Sequence, residues 1–302
     1  MAFDLGTLTK YTDQTSAPLI QKLYYDGDST KYMKAHAGVN VGTFAINYFD
    51  IAPQLKLGSG CGVISDDGTT TFNQKNISVC KMFTQGAWCP ADLQEYYLGM
   101  EIQGVRNDNL KPVDEILVDQ LIHKTGNLIE TAIWDNTSMS GSTCFGMFQK
   151  ISGDTARISI NTGVTITISN ILQIVQDAVM ALPLELLDDE ELILMLSPTF
   201  HSMFKQAWFK NNNFQYPAIN EHGDFVIEQW GPKFVIHKTY GLQGSNNIYL
   251  TTMKNMHVAF TGEKDSEKVD VWFETYDQQI HYRINLRLGV TWWLADYVVC
   301  NF

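Results

Sequence analysis

Positive charge is scarce in this sequence and nowhere forms a cluster. Lysine and arginine account for 21 of the 302 residues, against 33 aspartates and glutamates, which gives a formal net charge of −12. Proteins that bind nucleic acid concentrate lysine and arginine, because these side chains displace the counterions of the phosphate backbone. The composition therefore argues against a nucleic-acid-binding function.

Long apolar runs are also missing. No stretch approaches the roughly 20 apolar residues that span a bilayer, and residues 1–6 have neither the basic nor the apolar region of a signal peptide. We therefore expect no membrane partner. Hydrophobic residues make up 45% and charged residues 18%, as in globular proteins. The length suits one large domain or two modest ones.

The five cysteines follow no known pattern. Cys61, Cys80, Cys89, Cys144 and Cys300 are odd in number, widely spaced and without a C-x-x-C pair. This spacing favours neither a zinc ribbon nor a disulfide framework. We expect reduced thiols in a cytosolic setting.

Catalytic motifs are absent as well. Gly58, Gly60 and Gly62 would suit a phosphate only if a helix followed, but the sequence leads into a turn. Ser140 lacks the glycine spacing and the strand of a nucleophile elbow, and there is no Walker lysine motif or H-E-x-x-H sequence. We predict no catalytic residue and no cofactor-binding residue.

Candidate metal ligands are present but lack the spacing of a site. One acidic run lacks the glycine and ligand spacing of a calcium loop, so a solvated connection is favoured over a cation site. That run contains Glu185, Asp188, Asp189, Glu190 and Glu191. The seven histidines lie far apart, and four fall within helix or strand patterns, namely His123, His201, His237 and His281. We predict no metal site.

The strongest pattern is an alternation near the C-terminal end. Apolar and polar residues alternate from residue 279 to 292, as on a strand with one buried face. The apolar positions are Ile280, Tyr282, Ile284, Leu286, Leu288, Val290 and Trp292. Apolar runs at residues 248–253, 257–260 and 269–276 predict neighbouring strands, and residues 277–278 a tight connection.

Helix signals divide the rest of the chain. The longest amphipathic pattern covers residues 112–134. Asn170 begins a helix to residue 182, with Gln173 placed for a capping box. Ser197 begins another helix after a buried strand at 192–196, and Pro90 begins a short one to residue 97. Strands are predicted at residues 43–57, 77–83, 157–160, 164–168, 225–227 and 234–237.

Several of these sequence motifs, in this order, resemble those of major capsid proteins of tailed phages of the Hong Kong 97 type. The motifs are most similar to those of crAss-like and related phages. The matching C-terminal pieces are residues 255–262, 271–273, 277–278 and 283–290. Upstream, a Thr-rich strand leads to residues 88–97, and the strand at 192–196 leads through Ser197 into an aromatic helix. The resemblance rests on the order of these phrases from residue 43 onward.

The resemblance implies a Hong Kong 97-type α+β fold. Its parts would be an N-terminal arm at residues 1–42 and an extended β-hairpin loop at 43–82. A peripheral domain with a long spine helix would cover 83–144 and 241–302, and an axial domain 145–240. Lys56 and Lys75 lie in the loop region, where a cross-link to another subunit would also need a suitably placed asparagine.

The resemblance also implies a structural protein and not an enzyme. It would be a capsid protein of the Caudoviricetes that self-assembles into pentamers and hexamers of an icosahedral head around double-stranded DNA, without binding that DNA specifically. Its partners would be itself, a portal protein at one vertex, and a separate scaffolding protein because the N-terminal arm is short. A decoration protein is left open. Assembly would take place in the bacterial cytoplasm, and the protein would reside in the virion.

Two alternatives remain open at this point. An encapsulin would share the fold but enclose cargo protein. An enzyme with an unrecognised site would show a deep pocket lined by acids with shifted pKa values, or a metal.

Overall fold

Two β-sheets organise the part of the chain that the computed structural model describes, which is residues 27–39, 42–52, 69–92, 113–139, 142–187, 191–211, 218–227, 234–261 and 269–302. The helices are α1 (Val113–Trp134), α2 (Met147–Ser152), α3 (Ile171–Met180), α4 (Leu184–Leu187) and α5 (Pro198–Asn211). The strands are β1 (Lys34–Ala37), β2 (Gly42–Ala52), β3 (Thr69–Trp88), β4 (Ile158–Ser159), β5 (Leu192–Leu196), β6 (Ala218–Ile219), β7 (Phe225–Ile227), β8 (Phe234–Lys238), β9 (Tyr249–Thr252), β10 (Met256–Phe260), β11 (Val269–Glu274), β12 (Gln279–Trp292) and β13 (Val299–Cys300).

The first sheet is built around β12. Its strand order is β1-β10-β12-β3-β2, and β11 also pairs with β12. β12 runs antiparallel to β3, β10 and β11, while β1 lies parallel to β10. Ile280 and Ile284 are buried and Arg283 is exposed. The strand predicted from the alternation is confirmed, and its faces differ in burial as predicted from Arg283 to Leu288, whereas residues 288–292 are buried on both faces.

The second sheet has the order β4-β13-β9-β5-β8-β7-β6. Its central strand β5 lies parallel to β8 and antiparallel to β9, and all five of its residues are buried. A strand that is apolar at every position is typical of a sheet covered on both faces. Accordingly, Ile193 and Met195 enter one hydrophobic core, and Leu194 enters another.

These two hydrophobic cores hold the sheets and helices together. The first is shared by both sheets with α1 and α2. At its centre the Trp134 ring lies 5.1 Å from the Tyr249 ring and 6.1 Å from the Trp292 ring. The second core lies on the opposite face of the seven-stranded sheet, where α3 and α5 cover it. Full burial of such side chains is worth about 1.5–3 kcal/mol each, so α1 is fixed by side-chain packing.

The helix start signals are confirmed in part. Ser197 precedes α5, and its Oγ accepts the Phe200 N–H at 3.3 Å, as an N-cap does. Asn170 precedes α3 as predicted, but its side chain accepts the Thr167 N–H at 2.7 Å and bonds no helix amide. Gln173 bonds within α3. The predicted capping box is therefore wrong.

The strand predicted at residues 164–168 is also wrong. Of the two strands predicted between residues 157 and 168, only the first forms, as β4, and residues 164–168 run as a loop into the turn before α3. Ile166 is buried, whereas Val164 and Ile168 are 46% and 43% exposed. The alternating residues therefore belong to a loop in which only the middle apolar side chain, Ile166, is buried. The local Asn170 bonds to the backbone compete with strand pairing, as short polar side chains commonly do.

Some predicted features lie outside the described residues. These are Cys61, the glycines at 58–62, residues 53–57 of the first predicted strand, Lys56, Ser140, residues 188–190 of the acidic run, and residues 93–97 of the helix after Pro90. Residues 90–92 are helical.

The domain ranges remain a prediction. Strands β9 and β13 from the predicted peripheral range share the seven-stranded sheet with β4 and β5 from the predicted axial range. The two ranges are therefore joined by hydrogen bonds between strands.

The expectation of reduced, unpaired thiols is wrong for one pair. Cys80 on β3 and Cys144 before α2 form a disulfide across 64 residues of sequence, with their Cα atoms 5.9 Å apart. Cys89 is free and exposed, and Cys300 is free and buried. The fold brings distant cysteines together, so sequence spacing gave no signal of the pairing.

We expect reductant to destabilise the oxidised subunit, because the cross-link restricts the unfolded chain. Closing a loop of this length is worth at most about 4 kcal/mol. Chemical denaturation should show that loss in the wild type with reductant, and in Cys80→Ser without it. Reductant should leave Cys80→Ser unchanged. A wild type equally stable with and without reductant would contradict the bridge.

Candidate assembly surfaces

A long β-hairpin arm projects from the first sheet. Strands β2 and β3 pair antiparallel from Gly42–Val79 to Ala52–Thr69. These 11 paired positions reach roughly 35 Å at the usual rise per strand residue. At the base, Gly289 of β12 sits against the Ser78 carbonyl, where a Cβ would collide with the backbone. Glycine there permits β3 to pass from β12 to β2.

The best-covered part of the arm is its base. Ile77 and Val79 are buried with Val39 and Ala259 in a small third core. Residues 70–74 further out are exposed, and Phe72 is 83% exposed. The exposed part of the arm therefore has no apolar cover from the described part of its own chain.

Lys75 of the arm contacts its own chain. Its Nζ lies 3.8 Å from Asp154 Oδ2, with both side chains about a third exposed, so this pair contributes at most about 1 kcal/mol. Nearby, the Lys150 amine donates to the Val290 carbonyl. Burial, and then repulsion from Lys75, lowers the pKa of Lys150 to about 8. These contacts give no sign of a cross-link, and Lys56 lies outside the described residues.

Exposed apolar side chains also lie near α3. Met180 at its end is 79% exposed, and Leu184 at the start of α4 is 80% exposed. Val164 and Ile168, in the loop before α3, are part-exposed as described above. A contiguous exposed apolar patch marks a surface that other proteins cover, and Met180 and Leu184, four residues apart in the sequence, are the candidates for one here.

The β11–β12 hairpin carries a third set. Its tip has Phe273 and Trp272 about 40% exposed and Tyr276 96% exposed. The Trp272 ring stacks on His281 at 5.6 Å, and His281 Nε2 lies 2.7 Å from Asp277 Oδ2. His281, predicted as a strand histidine, therefore supports the hairpin tip.

Other histidines are less isolated than the sequence indicated. His201 on α5 stacks on Phe225, and burial lowers its pKa to about 4. His257 Nδ1 lies 2.7 Å from His36 Nε2, and burial lowers the pKa of both. His123 is exposed on α1.

His237 on β8 belongs to a buried polar cluster that the sequence did not reveal. Its Nδ1 lies 3.0 Å from Asp224 Oδ1. Its Nε2 lies 3.4 Å from Asp28 Oδ1, within ion-pair distance but outside hydrogen-bond geometry. The Tyr32 hydroxyl donates to Asp224 Oδ2. Tyr32 and Asp224 are 192 residues apart, so sequence spacing could not have linked them.

Ligand sites have little support in the described ranges. They hold no group of three histidine, cysteine or acidic side chains that could bind a metal ion. A shallow cleft of about 570 Å³ lies between β1 and β2, lined in part by His36, Val39 and Phe44. None of the helices described above combines the length and hydrophobicity needed to cross a bilayer.

Comparisons with solved structures place this geometry among shell proteins. The Gordonia phage Cozz structure matches with a TM-score of 0.61 at 9% identity, over 91% of this chain and 85% of that chain. The capsid of Myoviridae phage XM1 matches at 0.54 and 10%, over 89% of each chain. The holo-SrpI encapsulin complex from Synechococcus elongatus matches at 0.54 and 10%, over 100% of this chain and 90% of that chain.

Sequence comparison adds nothing to this result. No protein-family model matches the chain, and no curated protein matches it either. The predicted similarity to crAss-like phages in particular is not confirmed. The matched folds are those of structural shell proteins, which are not enzymes. The chain has the Hong Kong 97-type fold that phage major capsid proteins and encapsulins share.

Proposed function

We propose that this chain is the major capsid protein of a tailed phage. Copies would form pentamers and hexamers that close an icosahedral head around double-stranded DNA. The net charge of −12 fits a wall that confines DNA without binding it specifically. The further partners would be a portal protein at one vertex and a separate scaffolding protein, with assembly in the bacterial cytoplasm.

The observation that carries the proposal is the β2–β3 arm. The Phe72 side chain of this projecting hairpin is exposed to water. The unfavourable free energy of hydrating it is removed only when another surface covers it. Met180 of α3 and Leu184 of α4 supply a second uncovered apolar surface, on the helices beside the seven-stranded sheet. Separate apolar surfaces on one subunit allow each copy to contact several neighbours, as a closed shell requires.

An encapsulin shell is the second candidate. The encapsulin match spans this whole chain, so the fold fits a protein shell around protein cargo equally well. The contents separate the two functions. Particles isolated from the native host should contain nuclease-protected DNA if the proposal is right, and a cargo protein if the alternative is right.

Phe72→Ser tests the arm. Because Phe72 is mostly exposed, the change should leave subunit stability within about 0.5 kcal/mol, yet it should slow assembly measured by light scattering. Asn73→Ser, at the neighbouring exposed position, is the matched control and should assemble like the wild type. Wild-type assembly by Phe72→Ser would count against a role for this exposed part of the arm.

A further inference from the structure

A short strap, defined here as residues 27–33, links the two sheets. At one end the Tyr240 N–H donates to Asp28 Oδ2 at 2.7 Å. In the middle the Ser29 N–H donates to both Glu130 oxygens, at 3.0 and 3.2 Å, and the Trp134 indole donates to Ser29 Oγ at 2.8 Å. Beyond the strap the chain enters β1 of the first sheet. The strap is therefore held on α1 and the seven-stranded sheet by polar contacts.

His237 is the group that joins the strap to that sheet. It is 1% exposed and lies between Asp28 of the strap and Asp224, which precedes β7. A neutral imidazole donates from one ring nitrogen, whereas the imidazolium donates from both. Only the protonated form can therefore bind both carboxylates at once.

We propose that this cluster is a proton-dependent latch, in which the His237 imidazolium holds Asp28 of the strap against Asp224 of the sheet, and loss of its proton releases the strap. The latch goes beyond the proposed function, because it operates within one subunit and requires no shell.

The direction of the pH dependence follows from His237. Burial alone would lower its pKa, but the hydrogen bond to Asp224 and the close carboxylates of Asp224 and Asp28 outweigh burial and raise the pKa above 6.5. A raised pKa means that this contribution to stability is complete below about 6.5 and is lost as the pH rises through the folded-state value.

The carboxylates of Asp28 and Asp224 set the lower end of the pH range in which the latch is closed. Burial opposes ionisation of Asp28 and Asp224, yet the hydrogen bond of Asp224 with His237 and the ion pair of Asp28 with His237 lower both pKa values below 3.8. Their contribution is therefore present above 3.8 and disappears as the pH falls through the lowered values. Burial raises the pKa of Glu130 to about 6. The stability that is linked to its protonated form is therefore also lost as the pH rises through 6. The latch should be tightest in mildly acidic solution and should open toward alkaline pH.

Further titratable groups face the cluster, among them His222, whose ring lies 5.6 Å from the Tyr32 ring. Lys31 on the strap is a cation beside both aspartates. Burial raises the pKa of Tyr32, and the pKa of His201 is lowered as described above, so His201 is neutral where His237 titrates. Lys205 and Lys238 face His201.

Hydrogen exchange of the full-length chain at about pH 5.5 and about pH 9 tests the latch on both sides of the histidine range. The probes are the amides of Ser29, Tyr32 and Met33, which donate to Glu130, Ser29 and Thr30. After correction for the intrinsic rate, their exchange should rise several-fold at alkaline pH. Amides of the β5–β9 ladder should show no such change.

Variants separate the latch from general loosening. His237→Gln should exchange rapidly in the strap at both pH values, while His281→Gln, which alters the exposed pair with Asp277, should behave like the wild type. If His237→Gln does not fold, Asp28→Asn decides. That variant keeps the acceptor for the Tyr240 amide, removes the charge, and should lose most of the pH dependence. Equal strap protection at both pH values in the wild type would overturn the proposal, as would wild-type pH dependence in either folded variant.

Discussion

Ile284→Asp is expected to give insoluble protein, whereas Arg283→Asp at the adjacent position should remain soluble and folded. Ile284 is fully buried in β12, where Val269 and Thr84 lie opposite it on the neighbouring strands. An unpaired carboxylate there costs several kcal/mol, against a total stability of about 5–15 kcal/mol for typical domains. The change should therefore prevent folding.

Arg283 points to the opposite face. Its guanidinium lies 4.7 Å from the centre of the Phe83 ring, and its Nε donates to Asn285 Oδ1 at 3.0 Å. Loss of these exposed contacts should cost about 1 kcal/mol. The soluble fraction after expression and thermal unfolding of the soluble protein compare the variants. Equal solubility of the two would show that the faces of β12 are assigned wrongly.

The double variant Met180→Asp, Leu184→Asp should remain a folded subunit but fail to form shells. Both side chains are about four-fifths exposed, so the subunit loses little buried area. In an assembly the same positions would place two carboxylates in a covered apolar surface, where each costs several kcal/mol. That penalty recurs in every copy, so even a modest cost per contact should abolish closure.

Circular dichroism measures whether the subunit is folded, and size-exclusion chromatography measures whether shells form. Gln120→Asp, which adds a carboxylate at an exposed polar position of α1, is the control and should assemble normally. Shells formed by the double variant at the wild-type yield would remove α3 and α4 from the proposed contacts.

The elements that sequence predicted well are those set by local pattern. β12 has an unbroken alternation of apolar and polar residues, and from Arg283 to Leu288 its burial follows that alternation because one face of the strand packs in the first core. Ser197 specifies the start of α5 because its hydroxyl satisfies an amide of the first turn. The stretch at 164–168 had the same alternation but no strand beside it, so it became a loop. Period alone does not create a sheet.

The features that sequence missed depend on contacts between distant segments. The disulfide joins Cys80 to Cys144 across 64 residues. The latch joins Asp28 to His237. In the sequence alone, Asp28 has the pattern of a surface residue and His237 that of a strand residue. Single charged residues and cysteine spacing reveal such contacts only when the fold is known.

Electron microscopy of the purified full-length protein over a range of concentrations tests the central claim most directly. The account predicts rings of five or six subunits, free or closed into shells, in which the β2–β3 arm of each subunit lies on a neighbour. A protein that stays monomeric at every concentration, with the arm uncovered, would contradict it.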